Sequence, residues 1–134
     1  MLQSSLVSFQ THGFGHWAVI RARHGSLIGF CGLRCTDGPP EVELLYGIAP
    51  PYWGQGLATE AARAVLRYGF EEKQLARIIA SADTPNVASV RVMERAGMRF
   101  ERYGRFDSGG EAVYFAMPRE EFQPGDAFYL LRRA

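Results

Sequence analysis

The stretch from Tyr46 to Phe70, YGIAPPYWGQGLATEAARAVLRYGF, leaves few folds open to this chain. An extended apolar run ending at Ile48 meets Pro50-Pro51, and proline can neither donate to a sheet ladder nor extend a central strand. Gly54-Gln55-Gly56 then turns the chain into a helix. From Leu57 onward the apolar Leu57, Ala58, Ala61, Ala62, Val65, Leu66 and Tyr68 recur at helical spacing, while Glu60, Arg63, Arg67 and Glu71 make the opposite polar stripe. The order is strand, glycine turn, helix with one face to bury.

The start of that helix carries the chemistry. Its first backbone N–H groups have no partner within the helix and carry a partial positive charge. No Ser, Thr, Asp or Asn stands in the turn before Gln55 to cap them. Gly54 and Gly56 lack β-carbons, so an anion can approach the main chain closely, and the turn reads as a seat for a phosphate or pyrophosphate. A glycine turn before a helix can equally be only a turn. The spacing excludes the common nucleotide motifs: no Gly-Lys-Ser/Thr follows, and GQGLAT lacks the third glycine of the dinucleotide fingerprint.

The run PYWGQGLATEA resembles the acyl-CoA pyrophosphate loop of the GNAT N-acetyltransferases, and PNVASVRVMERAGM, Pro85 to Met98, resembles that superfamily's second motif. The pair, followed by a strand beginning at Met98, is similar to the Rim-type branch, whose members acetylate protein N-terminal amines. The resemblance runs from Trp17 to Phe122. It implies acetyl-CoA as co-substrate, an amine acceptor, and a mostly antiparallel central sheet that splays after the strand ending near Ile48, flanked by helices. It also implies a further strand and helix at the beginning. This chain starts in what reads as the second helix of the family, so a truncated or a naturally short member is expected, with part of the sheet edge left open. Exposed apolar surface of that kind favours association, with a homodimer as the simplest form.

The remainder of the chain reads as one α/β domain over residues 1–134 with a mixed sheet. MLQSSLVSFQTH has apolar residues at helical spacing and reads as a helix end, closed by Gly13-Phe14-Gly15. Strands follow from His16 to Arg23 and from Leu27 to Thr36 around a turn at His24-Gly25-Ser26. Asp37-Gly38-Pro39-Pro40 turns into a strand from Glu41 to Ile48 with apolar residues on both faces, as a central strand requires. After the long helix, Arg77 to Ala82 completes a β-α-β crossover. A helix from Asn86 to Ala96 stops at Gly97, strands run from Met98 to Phe106 and from Glu111 to Met117, and an apolar tail includes Phe128 to Leu131.

Charge and cysteines narrow the partners. A formal net charge of +1 gives no electrostatic footprint for nucleic acid, and no apolar run suggests a membrane span. Cys31 and Cys35 on one strand would lie about 13 Å apart, too far for a disulfide. With no signal peptide, a reducing cytoplasmic setting is expected. Two small buried hydrophobes is the plainer reading of these cysteines, and a catalytic thiol the alternative. His12, His16 and His24 lack metal-ligand spacing, and no metal is expected.

Acetyl transfer from a thioester to an amine needs a neutral amine, donors aimed at the tetrahedral oxyanion, and a proton source for the departing thiolate. An unperturbed lysine is neutral at pH 7 in only about one molecule in 2,500, an α-amine in roughly a tenth, so an α-amino substrate needs little help from a base. Glu43, a carboxylate in a covered sheet position where burial would raise its pKa, is the candidate base, with Glu41 as fallback; a strand residue facing solvent or pairing with an arginine is the competing reading. The main chain around Ile48 is the natural oxyanion donor, and the resemblance carries the pantetheine arm to Tyr46, Gly47, Ile48 and Ala49. Asn86 reads as a helix N-cap, and by resemblance its amide also serves the CoA arm. Ser89 matches the family's serine and could protonate the thiolate, or could bond locally to the backbone. Many relatives carry a tyrosine acid where this chain has Met93; Tyr103 and Tyr114 are more distant alternatives. The loop position often held by Arg or Gln is Pro51, which leaves phosphate binding to the main-chain N–H groups of Trp53, Gly54, Gln55, Gly56, Leu57 and Ala58. Arg91 and Arg95 could reach the nucleotide end, or be solvated surface residues. The leading expectation is an acetyl-CoA-dependent N-acetyltransferase working by direct amine attack in a ternary complex; the alternative is a catalytically silent CoA-binding module. A nucleotide- or flavin-binding regulator is a third, disfavoured for want of a doubly wound pattern.

Overall fold

The computed structural model describes residues 14–21, 25–36 and 41–125. The helix expected over residues 1–12, the turn at 37–40, His12, His24 and the apolar tail at 128–131 lie outside them. Among the described residues the chain runs β1 (His16–Arg21), β2 (Ser26–Cys35), β3 (Val42–Ile48), a 3₁₀ turn (Pro50–Tyr52), α1 (Leu57–Arg67), a wider π turn (Tyr68–Glu72), β4 (Arg77–Asp83), α2 (Val87–Arg95), β5 (Arg99–Arg105), β6 (Glu111–Pro118) and a closing 3₁₀ turn (Arg119–Glu121). Within the described residues the expected strands and helices are present, with ends that differ by a residue or two.

The strands form one six-stranded sheet in the order β1-β2-β3-β4-β6-β5. All neighbours are antiparallel except β3 and β4, which are parallel and joined by α1 as the crossover. Both helices lie on one face. There Trp17, Cys31, Leu33 and Leu44 from the first three strands meet Ala62, Val65 and Leu66 of α1, Met93 of α2, and Ile78, Ala80, Val113, Phe115 and Met117 of the later strands. Burying a side chain the size of Leu66 or Val65 contributes about 1.5–3 kcal/mol, which is what fixes α1 against the sheet. Ala64 is buried as well, beyond the stripe expected from periodicity, and in the π turn that follows Phe70 enters the core beside Phe122.

Cys31 is buried and Cys35 exposed, both as free thiols, so the expectation of two buried hydrophobes holds for one of the pair only. Alternation puts both on the face toward the helices, but Cys35 is the last residue of the strand and lies beyond the core.

The sheet is not evenly paired. β2 and β3 stay in register from Cys35 opposite Val42 to Gly29 opposite Ile48, whereas β3 meets β4 at the single pair Glu43–Ile79. Beyond that pair the two strands part. Glycines draw β3 toward β2: a β-carbon on Gly29 would stand 2.0 Å from the Gly47 carbonyl oxygen, so only hydrogen fits. The opening therefore begins beyond Glu43, well before Pro50-Pro51, where the sequence placed it.

Candidate functional site

The fork between β3 and β4 is the centre of the site. In the antiparallel β2–β3 ladder hydrogen-bonded and non-bonded pairs alternate. Thr36 N donates to Glu41 O and Ala49 N donates to Ile28 O, both at 2.8 Å, which fixes the phase. Counting between them turns the main-chain groups of Leu44, Tyr46 and Ile48 away from β2, toward the fork. Ala49, whose amide is bound to β2, closes the ladder.

Past the fork the 3₁₀ turn leads to the glycine turn. Tyr52 N donates to Ala49 O at 2.9 Å and Trp53 N to Pro50 O at 3.1 Å. The Trp53 amide is thus used within the turn, a correction to its expected place among the phosphate donors. Gly54 and Gly56 have φ of 77° and 73°, and a β-carbon at either would meet nothing within 4 Å. Gly56 is the N-cap of α1 in a left-handed conformation, and among the described residues no side chain caps the helix. The N–H groups of Leu57, Ala58 and Thr59 in the first turn have no intrahelical partner, and the amides of Gly54, Gln55 and Gly56 lead into them along the turn.

The tertiary structure adds a cation that the loop sequence lacks. Arg21, at the end of β1, donates to Gln55 Oε1 and lies over the Tyr52 ring with its guanidinium carbon 5.8 Å from the centroid. Nothing local in the sequence signals this; it follows from β1 running antiparallel to β2 and ending beside the turn. Arg91 and Arg95 are both exposed on α2.

On the helix side of the fork Asn86 Oδ1 accepts from Ser89 N at 3.1 Å, the capping arrangement expected of Asn at that position, which leaves its amide nitrogen for other partners. The Tyr46 hydroxyl reaches across and lies 2.7 Å from Ser89 Oγ while donating to the Ser89 carbonyl oxygen at 3.0 Å. Burial pushes the Tyr46 phenol above its ordinary pKa, and the Ser89 hydrogen bond pulls partly the other way. Met93 is fully buried in the core.

Glu43 points the other way, through the face that carries no helix among the described residues. It is 5% exposed and its carboxylate is shared: Arg34 Nη2 lies 2.7 Å and Nε 2.9 Å from Oε1, and the Ser81 hydroxyl donates to Oε2 at 3.0 Å. Tyr114, stacked under the Arg102 guanidinium at 3.9 Å, sits opposite Ser81 on that same face. Tyr103 is largely exposed on β5. Glu41 is held by Arg77, which also pairs with Glu101; these contacts hold Glu101 below the usual carboxylate range and Arg77 firmly charged. Glu43 and Ser89 are therefore not brought into contact. Glu43 stands at the paired end of the fork and Ser89 on its helix side. Among the described residues no group of His, Cys, Asp or Glu could hold a metal ion, and no helix is long and apolar enough to cross a membrane.

Comparison with known proteins gives this geometry a context. Residues 2–99 match the family described as "Acetyltransferase (GNAT) domain". The chain is 37% identical over 105 residues to the uncharacterized protein YkkB of Bacillus subtilis, covering 77% of this chain and 61% of that protein. It is 34% identical over 125 residues to the FsC-acetyl coenzyme A-N(2)-transacetylase of Aspergillus fumigatus, covering 82% and 52%. A solved GNAT-family acetyltransferase from Bacillus anthracis superposes with a TM-score of 0.73 at 35% identity, covering 79% of this chain and 67% of that one. The chain thus spans about half to just under two thirds of the curated relatives named here.

Proposed function

This chain belongs to the GNAT acetyltransferase family, and from that premise we propose that it transfers an acetyl group from acetyl-CoA to a primary amine by direct attack in a ternary complex. The observation that carries the proposal is the fork: β3 and β4 pair only at Glu43–Ile79, and the opening leads to an uncapped helix start behind two positive-φ glycines. A pantetheine arm entering it would find the main-chain groups of Tyr46 and Ile48, and its diphosphate the amides of Gly54 to Ala58 with Arg21 as counter-charge.

In this reading the Ile48 N–H faces the oxyanion, Asn86 offers its amide nitrogen to the arm, and Ser89 protonates the leaving thiolate. Glu43 takes the proton from the amine through water. A protein N-terminus or a small α-amine is the acceptor that such an engaged carboxylate suits, since that amine is already partly neutral near pH 7. The Arg34–Glu43 pair favours a second reading, a CoA-binding module without turnover.

Thermal shift against acetyl-CoA, CoA, NAD and ATP tests the premise common to both: stabilisation by the first two alone is expected, because a ligand that binds only the folded state raises its melting point. Thiol release from acetyl-CoA with peptides and small amines then separates enzyme from silent binder.

A further inference from the structure

We propose that the Tyr46 side chain is a positioning residue for proton delivery to the leaving thiolate, holding the Ser89 hydroxyl in the fork from the opposite strand. The inference rests on the acetyl-transfer reading above. Its geometry is independent of that reading: strand β3 turns Tyr46 toward the helices, and the phenol oxygen meets both polar atoms of Ser89, the hydroxyl at 2.7 Å and the carbonyl at 3.0 Å.

A phenol has one proton and two possible acceptors here. With the Tyr46 O–H on the Ser89 carbonyl, the phenol oxygen is free to accept from the Ser89 hydroxyl. With the Tyr46 O–H turned to Ser89 Oγ, the serine proton is released to point into the fork. One rotation about the phenol C–O bond therefore exchanges a resting serine for a donating one. As the C–S bond breaks, sulfur takes the bonding pair and the Ser89 hydroxyl proton. The amine nitrogen, now bonded to the acetyl carbon, gives its proton through water to Glu43, and Ser89 regains a proton from solvent as Glu43 releases one. Tyr46 keeps its own proton throughout and stabilises Ser89 Oγ while that oxygen lacks one. The burial that raises the phenol's pKa is consistent with that role, since the neutral form is the one that donates. The local sequence of α2 provides no substitute, because Met93 is enclosed in the core and Tyr103 and Tyr114 lie elsewhere on the sheet.

The test is a double-mutant cycle in the full chain. Tyr46→Phe keeps the ring and its packing and removes only the oxygen. It is expected to lower kcat with the best acceptor by about 10- to 100-fold, within the range of lost acid–base assistance, with the Kd for acetyl-CoA unchanged. Ser89→Ala is expected to cost a similar factor, and the double variant no more than the larger single loss, because the two groups act as one unit. A Tyr46→Phe enzyme with wild-type kcat, or losses that multiply in the double variant, overturns the proposal; so does a variant whose deficit lies in acetyl-CoA affinity. A wild-type protein that binds acetyl-CoA and releases no thiol with any acceptor overturns the acetyl-transfer reading itself, which an active wild type with an unaffected Tyr46→Phe variant does not.

Discussion

The indole nitrogen of Trp53 donates to the carbonyl oxygen of Ile48 at 2.6 Å, folding the glycine turn back over the mouth of the fork. The contact occupies the main-chain acceptor that an amide-bearing arm would use. Trp53 is otherwise 66% exposed, whereas Trp17, the other tryptophan, is buried in the core. Binding of acetyl-CoA is therefore expected to change tryptophan emission through Trp53. Trp53→Phe should remove that change and cost about 1 kcal/mol of stability, the worth of one hydrogen bond. An emission change that persists in the variant would show that the arm does not pass Trp53.

Gly56 divides backbone tolerance from ligand space. Its φ of 73° makes any side chain there costly by about 1–2 kcal/mol, but among the described residues a β-carbon meets no atom within 4 Å. Gly109, with φ of 95° and equally open surroundings in the β5–β6 turn, is the matched control. Gly56→Val and Gly109→Val should lose comparable melting temperature, and only the first should lose stabilisation by acetyl-CoA. Retained stabilisation in Gly56→Val would remove the diphosphate from this turn.

Arg21 should matter to the nucleotide end of the ligand and not to the arm. Arg21→Gln is expected to weaken acetyl-CoA by about two- to fivefold, in keeping with a solvent-accessible ionic contact, while leaving acetyl-pantetheine affinity unchanged. The difference should shrink as salt is raised toward 1 M, where screening is nearly complete. Calorimetric titration of both ligands at two ionic strengths reads it directly.

Glu43→Gln removes the charge while keeping the shape beside Arg34 and Ser81. Turnover with an α-amine acceptor should fall by at least about tenfold, with the thermal shift by acetyl-CoA preserved. Equal turnover in variant and wild type would leave Glu43 as a structural partner of Arg34 alone.

Cys31 sets a limit at high pH. Burial pushes its thiol from 9.0 up to about 12. Between those values the unfolded chain has released the proton and the folded chain has not, so the unfolded state binds fewer protons and stability falls as pH rises. This group's share is present in full below pH 9 and declines by about 1.4 kcal/mol per unit through the window. Denaturant midpoints should therefore drop from pH 9 upward, and Cys31→Ala should flatten that slope. A thiol reagent at pH 8 should modify Cys35 alone in the folded protein and both cysteines in urea.

The sequence by itself determined what near neighbours fix: the strand, turn and helix order from Tyr46 to Phe70, the uncapped start of α1, the cap at Asn86, and a crossover that forces β3 and β4 parallel. These depend on periodicity, on proline and glycine backbone limits, and on side chains bonding within a turn of themselves. Only the tertiary structure decided which distant groups meet. Arg21 reaches Gln55 across 34 residues, Ser81 reaches Glu43 across 38, and Tyr46 reaches Ser89 across 43. Each meeting is set by strand order and register, where a slip of one residue would send the side chain through the other face of the sheet. The same holds for the fork, which opens beyond the Glu43–Ile79 pair and not where the prolines stand in line.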